Sequence, residues 1–256
     1  MVTPHERVKR VTVAPEVEEN GLLGGRVRLF QPRDGYRAGM DAALLAAAVT
    51  AGPGETVLEA GCGAGAVLCQ VGARRAGVRL LGVEREALMA ALAARNLALN
   101  DLEGEILIAD VAAGFGPQDR PRADWAISNP PFFDDASALR APAPGKRAAW
   151  MADDGLQAWT DFLLAGVRDG GAIVMIHRAD RLADILSLLG AKAGSFRIQP
   201  IHPYADRPAK RVLVKAIRLG KAPLVLLPPL TLHADDGGHS ARAEAILRGE
   251  AALDLG

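Results

Sequence analysis

The 256-residue chain balances 30 Lys or Arg against 30 Asp or Glu and is 50% hydrophobic, a composition that excludes a disordered chain. Zero formal net charge excludes a uniformly basic surface, but the charge is segregated: residues 168–221 hold eleven basic and four acidic side chains, and residues 51–167 hold ten and fifteen, so a local polyanion site is allowed. Only two cysteines, Cys62 and Cys69, are present, with no nearby His, and the apolar runs are too short for a bilayer. We therefore expect a cytoplasmic protein without disulfides, metal or membrane contact.

In chain order, 8–13 and 26–30 alternate partially around glycine-rich turn material, which predicts an N-terminal β-hairpin. An apolar face predicts a helix over 39–49, stopped by Pro53 and Gly54. A regular alternation follows, with strands predicted at 56–60, 78–84, 105–110, 123–129 and 171–177 and helices at 65–75, 86–98, 154–167 and 179–189. Two further strands, 195–201 and 211–219, have no helix between them, which suggests an antiparallel hairpin at the sheet edge. Apolar strands flanked by helices imply an α/β fold with a mainly parallel, seven-stranded sheet covered on both faces. Residues 134–155 read as a long surface loop, and the tail from Pro223 as a Pro-Pro pair, a polar turn and a short final helix. We divide the chain into a hairpin extension, 1–38, and a main domain, 39–256.

Between the first sheet strand and its helix stands Glu59-Ala60-Gly61-Cys62-Gly63-Ala64-Gly65. Glycines there permit a tight turn and close approach of a ligand to the helix N-terminus. The alternating spacing departs from GxGxxG, the pattern for a dinucleotide pyrophosphate. Acidic residues also close the next two strands. Glu84 is placed to accept from both hydroxyls of a ribose, and Asp110 to receive an adenine amino group. Such a set suits a nucleoside carrying a positive sulfonium. The competing reading is that Glu84 and Asp110 only cap the following helices.

Asn129-Pro130-Pro131-Phe132 ends the fourth strand of this series, where two prolines force the backbone out of the sheet. The Asn129 side-chain oxygen and the Pro130 carbonyl are acceptors that can face one amino group, and Phe132 offers a face for a flat base. A conjugated amino nitrogen is a poor nucleophile. Two acceptors on its hydrogens favour a pyramidal geometry and stabilise the charge that grows on nitrogen during alkylation. No strong base is needed, because the alkylated ammonium is acidic.

With these motifs the chain resembles the bacterial tRNA (adenine-N6)-methyltransferases that modify an adenine in the anticodon loop of a valine tRNA, within the small-domain class I methyltransferases. The resemblance rests on Gly25, Gln31-Pro32, Gly35-Tyr36-Arg37, Asp41, Leu44 and Leu45, the 59–65 turn, Glu84, Asp110 and the NPPF tetrapeptide. It extends to Ile201-His202-Pro203, 209–213 and Leu230. It implies a Rossmann-like fold, S-adenosyl-L-methionine as cofactor, and an RNA substrate, a tRNA rather than DNA. It further implies that Glu59, Gly61, Gly63 and Gly65 border the methionine moiety, Glu84 the ribose and Asp110 the adenine. Asn129, Pro130, Pro131 and Phe132 would hold the target base, with Asn129 also bordering the cofactor, while Tyr36, Arg37 and Asp41 would close its pocket. Lys210 and Arg211, in the basic segment, are expected to meet phosphate. Protein glutamine-N5 and rRNA guanine-N2 methyltransferases are the alternatives, since both also methylate a conjugated nitrogen.

Overall fold

The computed structural model describes residues 16–33, 37–116, 121–131 and 154–256. A two-stranded antiparallel ribbon comes first, β1 (Val17–Leu22) paired with β2 (Val27–Pro32). This corrects the expected hairpin: the partner of β2 is Val17–Leu22, and residues 8–13 lie outside the described residues. VEENGL has no apolar alternation to announce a strand. Its pairing is imposed by the turn, where Leu23, Gly24 and Gly25 all take positive φ (51°, 65° and 89°) and fold the chain straight back.

The main sheet contains β3 (Thr56–Ala60), β4 (Arg79–Glu84), β5 (Gly104–Ile108), β6 (Ala123–Ser128), β7 (Val167–Arg178), β8 (Ala193–His202) and β9 (Arg211–Arg218). Their order is β8-β9-β7-β6-β3-β4-β5. Only β9 runs antiparallel, so the edge hairpin expected from the helix-free spacing is β8–β9. Two two-residue strands, β10 (Val225–Leu226) and β11 (Leu230–Thr231), add to the outer edge of β8 and raise the count from the expected seven to nine. Pro228 and Pro229 separate them and keep each too short to show an alternation. The strand expected to reach Asp110 stops at Ile108, and the one expected from 171 begins at Val167.

Helices α1 (Met40–Ala47), α2 (Ala66–Arg74) and α3 (Ala87–Leu99) cover one face, and α4 (Asp154–Gly166) and α5 (Leu182–Gly190) the other; α6 (Ala241–Leu247) packs beside α1. Strand side chains divide between two cores. Val57, Ile127, Val174 and Ile176 join the core under α1 and α2, while Leu58, Ala126, Ile173 and Met175 join the core under α4 and α5. Among the described residues no helix is long and apolar enough to cross a membrane.

The ribbon is docked by two amides. Asn96 on α3 and Asn100, its C-cap one turn later, meet Phe30 and Arg28, two apart on β2. Asn96 Oδ1 accepts from the Phe30 N–H (2.8 Å), and its Nδ2 donates to the carbonyls of Phe30 (2.9 Å) and Ala64 (2.8 Å). Asn100 repeats the pattern on Arg28, at 2.8 and 2.7 Å. The helix thus supplies the ladder a third strand would have made. Asn96 is fully buried. Asn96→Ala would strand three backbone groups, and we expect a loss of about 2–4 kcal/mol in chemical denaturation. A loss below about 1 kcal/mol would show that water replaces the amide.

Candidate functional site

The strand order reverses between β3 and β6, so a crevice opens at their carboxyl ends. At the end of β3, Gly61, Gly63 and Gly65 all adopt left-handed φ of 68°, 53° and 80°. A Cβ at Gly61 would collide with the Trp159 ring, whereas one at Gly63 would meet nothing within 4 Å. The turn is therefore closed at Gly61 and open at Gly63. Gly61 and Cys62 donate to the Val83 carbonyl (2.8 and 3.0 Å), and Gly65 caps α2.

Glu84 ends β4, half-buried, and holds this turn from the side. Its Oε2 accepts from the Gly63 N–H (3.0 Å) and its Oε1 from the Glu86 N–H (2.9 Å). Each carboxylate oxygen can accept more than one hydrogen bond, so acceptor capacity remains. Ala109 donates to the Glu84 carbonyl (3.1 Å) and brings Asp110 alongside. Asp110 is exposed, and its Oδ1 caps a short 3₁₀ turn through the Ala112 N–H (2.9 Å). Both acids thus cap the backbone that follows them, as the competing reading requires. Beside Asp110 lies a hollow of about 390 Å³ lined by Val111, Ala112, Gly114, Gln157, Ala158 and Asp161. A larger one, about 430 Å³, continues along α4 toward Arg122, Lys192 and Arg218 at the opposite edge, away from the glycine turn.

On the other side of the crevice, Ser128 Oγ donates to the Ala60 carbonyl (3.1 Å), and Ala60 and Ser128 are paired in register. Gly61 and Asn129, the next residues, therefore stand side by side just past the ends of adjoining strands. Asn129 and Pro131 are half-buried, and Pro130 is buried. Phe132 and Tyr36 lie outside the described residues, as does most of the 134–155 loop.

The fold brings together the glycine turn, Glu59, Glu84, Asp110 and Asn129. Arg37 and Asp41 are engaged elsewhere: Arg37 pairs with Glu18 and donates to Asn20 Oδ1 (3.2 Å), and Asp41 pairs with Arg211 (2.9 Å). Arg211, expected to meet phosphate, thus ties β9 to α1. Trp159 is a site residue that sequence reading missed; helical position alone cannot say that its indole seats on Gly61.

Glu59 is 2% exposed, and its Oε2 has no hydrogen-bond partner. Burial raises its carboxyl well above the ordinary 4.5; the Leu68 backbone N–H opposes this and nearby Glu84 adds to it. Burial likewise pushes the Cys69 thiol up to about 12 and Cys62 higher, so both stay protonated. Among the described residues no His, Cys, Asp or Glu cluster could hold a metal ion. An open floor at Gly63, spare acceptors on Glu84 and a buried Glu59 carboxyl with Oε2 unpartnered fit a nucleoside ligand with a cationic tail.

Because the folded protein holds the Glu59 proton more tightly than the unfolded chain, stability falls as pH rises above about 4.5 and levels off once the folded group ionises. Glu59→Gln removes this slope. We expect the variant to be more stable than the parent at neutral pH without ligand, as read by denaturation across pH. Parallel pH profiles would show that Glu59 is not held protonated.

Residues 37–142 match the model of the methyltransferase small domain. No curated protein sequence matches the chain. Among solved structures, a predicted O-methyltransferase from Agrobacterium tumefaciens is 27% identical, with a TM-score of 0.67 over 84% of this chain and 98% of that one. The T. thermophilus 16S rRNA N2 G1207 methyltransferase, solved with AdoMet and guanosine, is 20% identical with a TM-score of 0.57; the alignment covers 83% of this chain and 53% of that one. The tRNA (m1A58) methyltransferase from Aquifex aeolicus is 15% identical with a TM-score of 0.50, over 75% and 73%.

Proposed function

We propose that this chain, for which the small-domain match and the solved structures support class I S-adenosylmethionine-dependent methylation, acts on the exocyclic amino group of a purine base in RNA. The observation that carries this reading is the register of β3 and β6. It sets the Asn129–Pro130 acceptors beside Gly61, the start of the cofactor turn.

When bound, S-adenosylmethionine supplies an electrophilic methyl group on a sulfonium. Glu84 has acceptor capacity for the ribose hydroxyls while still holding Gly63. Glu59 offers a carboxylate to the cationic tail, and a cation beside it favours release of the proton that burial retains. The Asn129 amide oxygen and the Pro130 carbonyl accept the two amino hydrogens of the base and aim the nitrogen lone pair toward the turn. As the new bond forms, these dipoles stabilise the positive charge on nitrogen, and the methylated ammonium then gives its proton to water.

Neither acceptor is basic enough to deprotonate a hydroxyl, which is why we favour nitrogen although one similar structure is described as a predicted O-methyltransferase. The motif-level resemblance points to adenine N6 in a tRNA. The similar rRNA enzyme, solved with guanosine, points to guanine N2. The two amino groups present the same pair of hydrogens to the same acceptors, and the comparisons weigh toward guanine. Incubating the protein with methyl-labelled cofactor and RNA from a strain lacking its gene, then digesting to nucleosides, separates the two. We expect the label in N2-methylguanosine or N6-methyladenosine. Label confined to protein glutamine or to an oxygen would overturn the reading.

A further inference from the structure

Beyond β7, the same carboxyl edge of the sheet carries a stack of three flat rings. Tyr204 follows β8, and its ring lies 5.3 Å from that of His233, at 35°; His233 in turn lies 5.3 Å from His239, at 23°. Backbone bonds fix the stack. Leu232 donates to the His202 carbonyl (2.8 Å), His233 to that of Pro203 (3.0 Å), and Arg207 to that of Tyr204 (3.1 Å). His233 and His239 also form a β-bridge. His233 is sandwiched, His239 is exposed, and Tyr204 is 39% exposed.

The register places this stack relative to Asn129. Ser128 pairs with Met175, Arg178 with Arg211, Arg211 with Ile201, and Thr231 with His202. Three to four strand spacings of about 4.8 Å, roughly 14–19 Å, thus separate β6 from the rings. The edge between them carries Arg178, Arg181, Lys210 and Arg211. His177, 3% exposed on β7, is lowered to about 4, first by burial and then by Arg181, Arg178 and Arg211, with Asp180 opposing. Those arginines pair with Asp184, Asp180 and Asp41. Lys210, exposed just before β9, makes no ion pair among the described residues. Acids stand near the rings too: Asp206 is 3.7 Å from Arg207, Asp236 caps the Gly238 N–H, and Asp235 is exposed. Charge therefore does little at the stack itself, and the open ring face is what it offers.

We propose that Tyr204, backed by His233 and His239, is a ledge on which a base of the RNA flanking the target nucleotide stacks. This rests on the RNA reading above. A preordered aromatic face accepts any base without reading its edges, and exposed Lys210 stands on the edge between Asn129 and the rings.

Anisotropy of a fluorescein-labelled single-stranded RNA oligonucleotide, titrated with the full chain, tests the ledge, with calorimetric titration of S-adenosylmethionine as a control. Tyr204→Ala should weaken RNA binding roughly 5- to 150-fold, leave the salt dependence and cofactor binding unchanged, and raise KM for RNA with kcat intact. Tyr204→Phe, which keeps the ring, should bind within about twofold of the parent. Parental affinity in Tyr204→Ala would overturn the ledge alone, as would a Phe variant as weak as Ala. A parent that binds and methylates no RNA would overturn both the ledge and the RNA reading.

Discussion

Between Ala60 and Gly65 the chain must turn sharply from a buried strand into a helix, and three left-handed residues make that turn possible. Much else in the protein is arranged around it. Glu84 grips it from β4, Asn96 from α3, and Trp159 lies on it from α4. The Ser128–Ala60 bond sets the end of β6 against its first residue. Each of these groups comes from a different element, so packing of the two cores on either side of the sheet holds the turn in one shape. Asn96 also links it to the N-terminal ribbon.

The parts of this arrangement legible in the sequence are those that leave a local signal. Buried parallel strands show as short apolar runs, and alternating glycines before a helix mark a turn that other residues disfavour. The helix-free gap between 201 and 211 announced the antiparallel hairpin. What escaped depends on tertiary contact. VEENGL becomes a strand because the turn after it leaves no alternative, and Asn96 and Asn100 look like ordinary polar positions of a helix until β2 is laid beside them. The Asp41–Arg211 pair joins residues 170 apart, and no spacing rule couples them.

Electrostatics divides the crevice into two halves. The cofactor side is acidic: Glu59 and Glu84 lie at the ends of β3 and β4, Asp110 stands two residues past the end of β5, and burial raises the Glu59 carboxyl well above its ordinary value. On the far side, burial first and then Arg181, Arg178 and Arg211 keep the imidazole of His177 neutral. Net charge alone conceals this segregation, since basic side chains concentrate in residues 168–221 and acidic ones in residues 51–167.

The central claim is that Asn129 acts on the nitrogen that receives the methyl group rather than on the shape of the turn. Single-turnover methyl transfer by Asn129→Ala, with cofactor and RNA both saturating, tests it most directly. The account predicts intact binding of both ligands and a chemical step slowed roughly a hundred- to a thousandfold, the usual cost of one well-placed electrostatic contact. A near-parental rate would mean that Asn129 only helps the chain leave the sheet, and the amino-group mechanism would lose its principal residue.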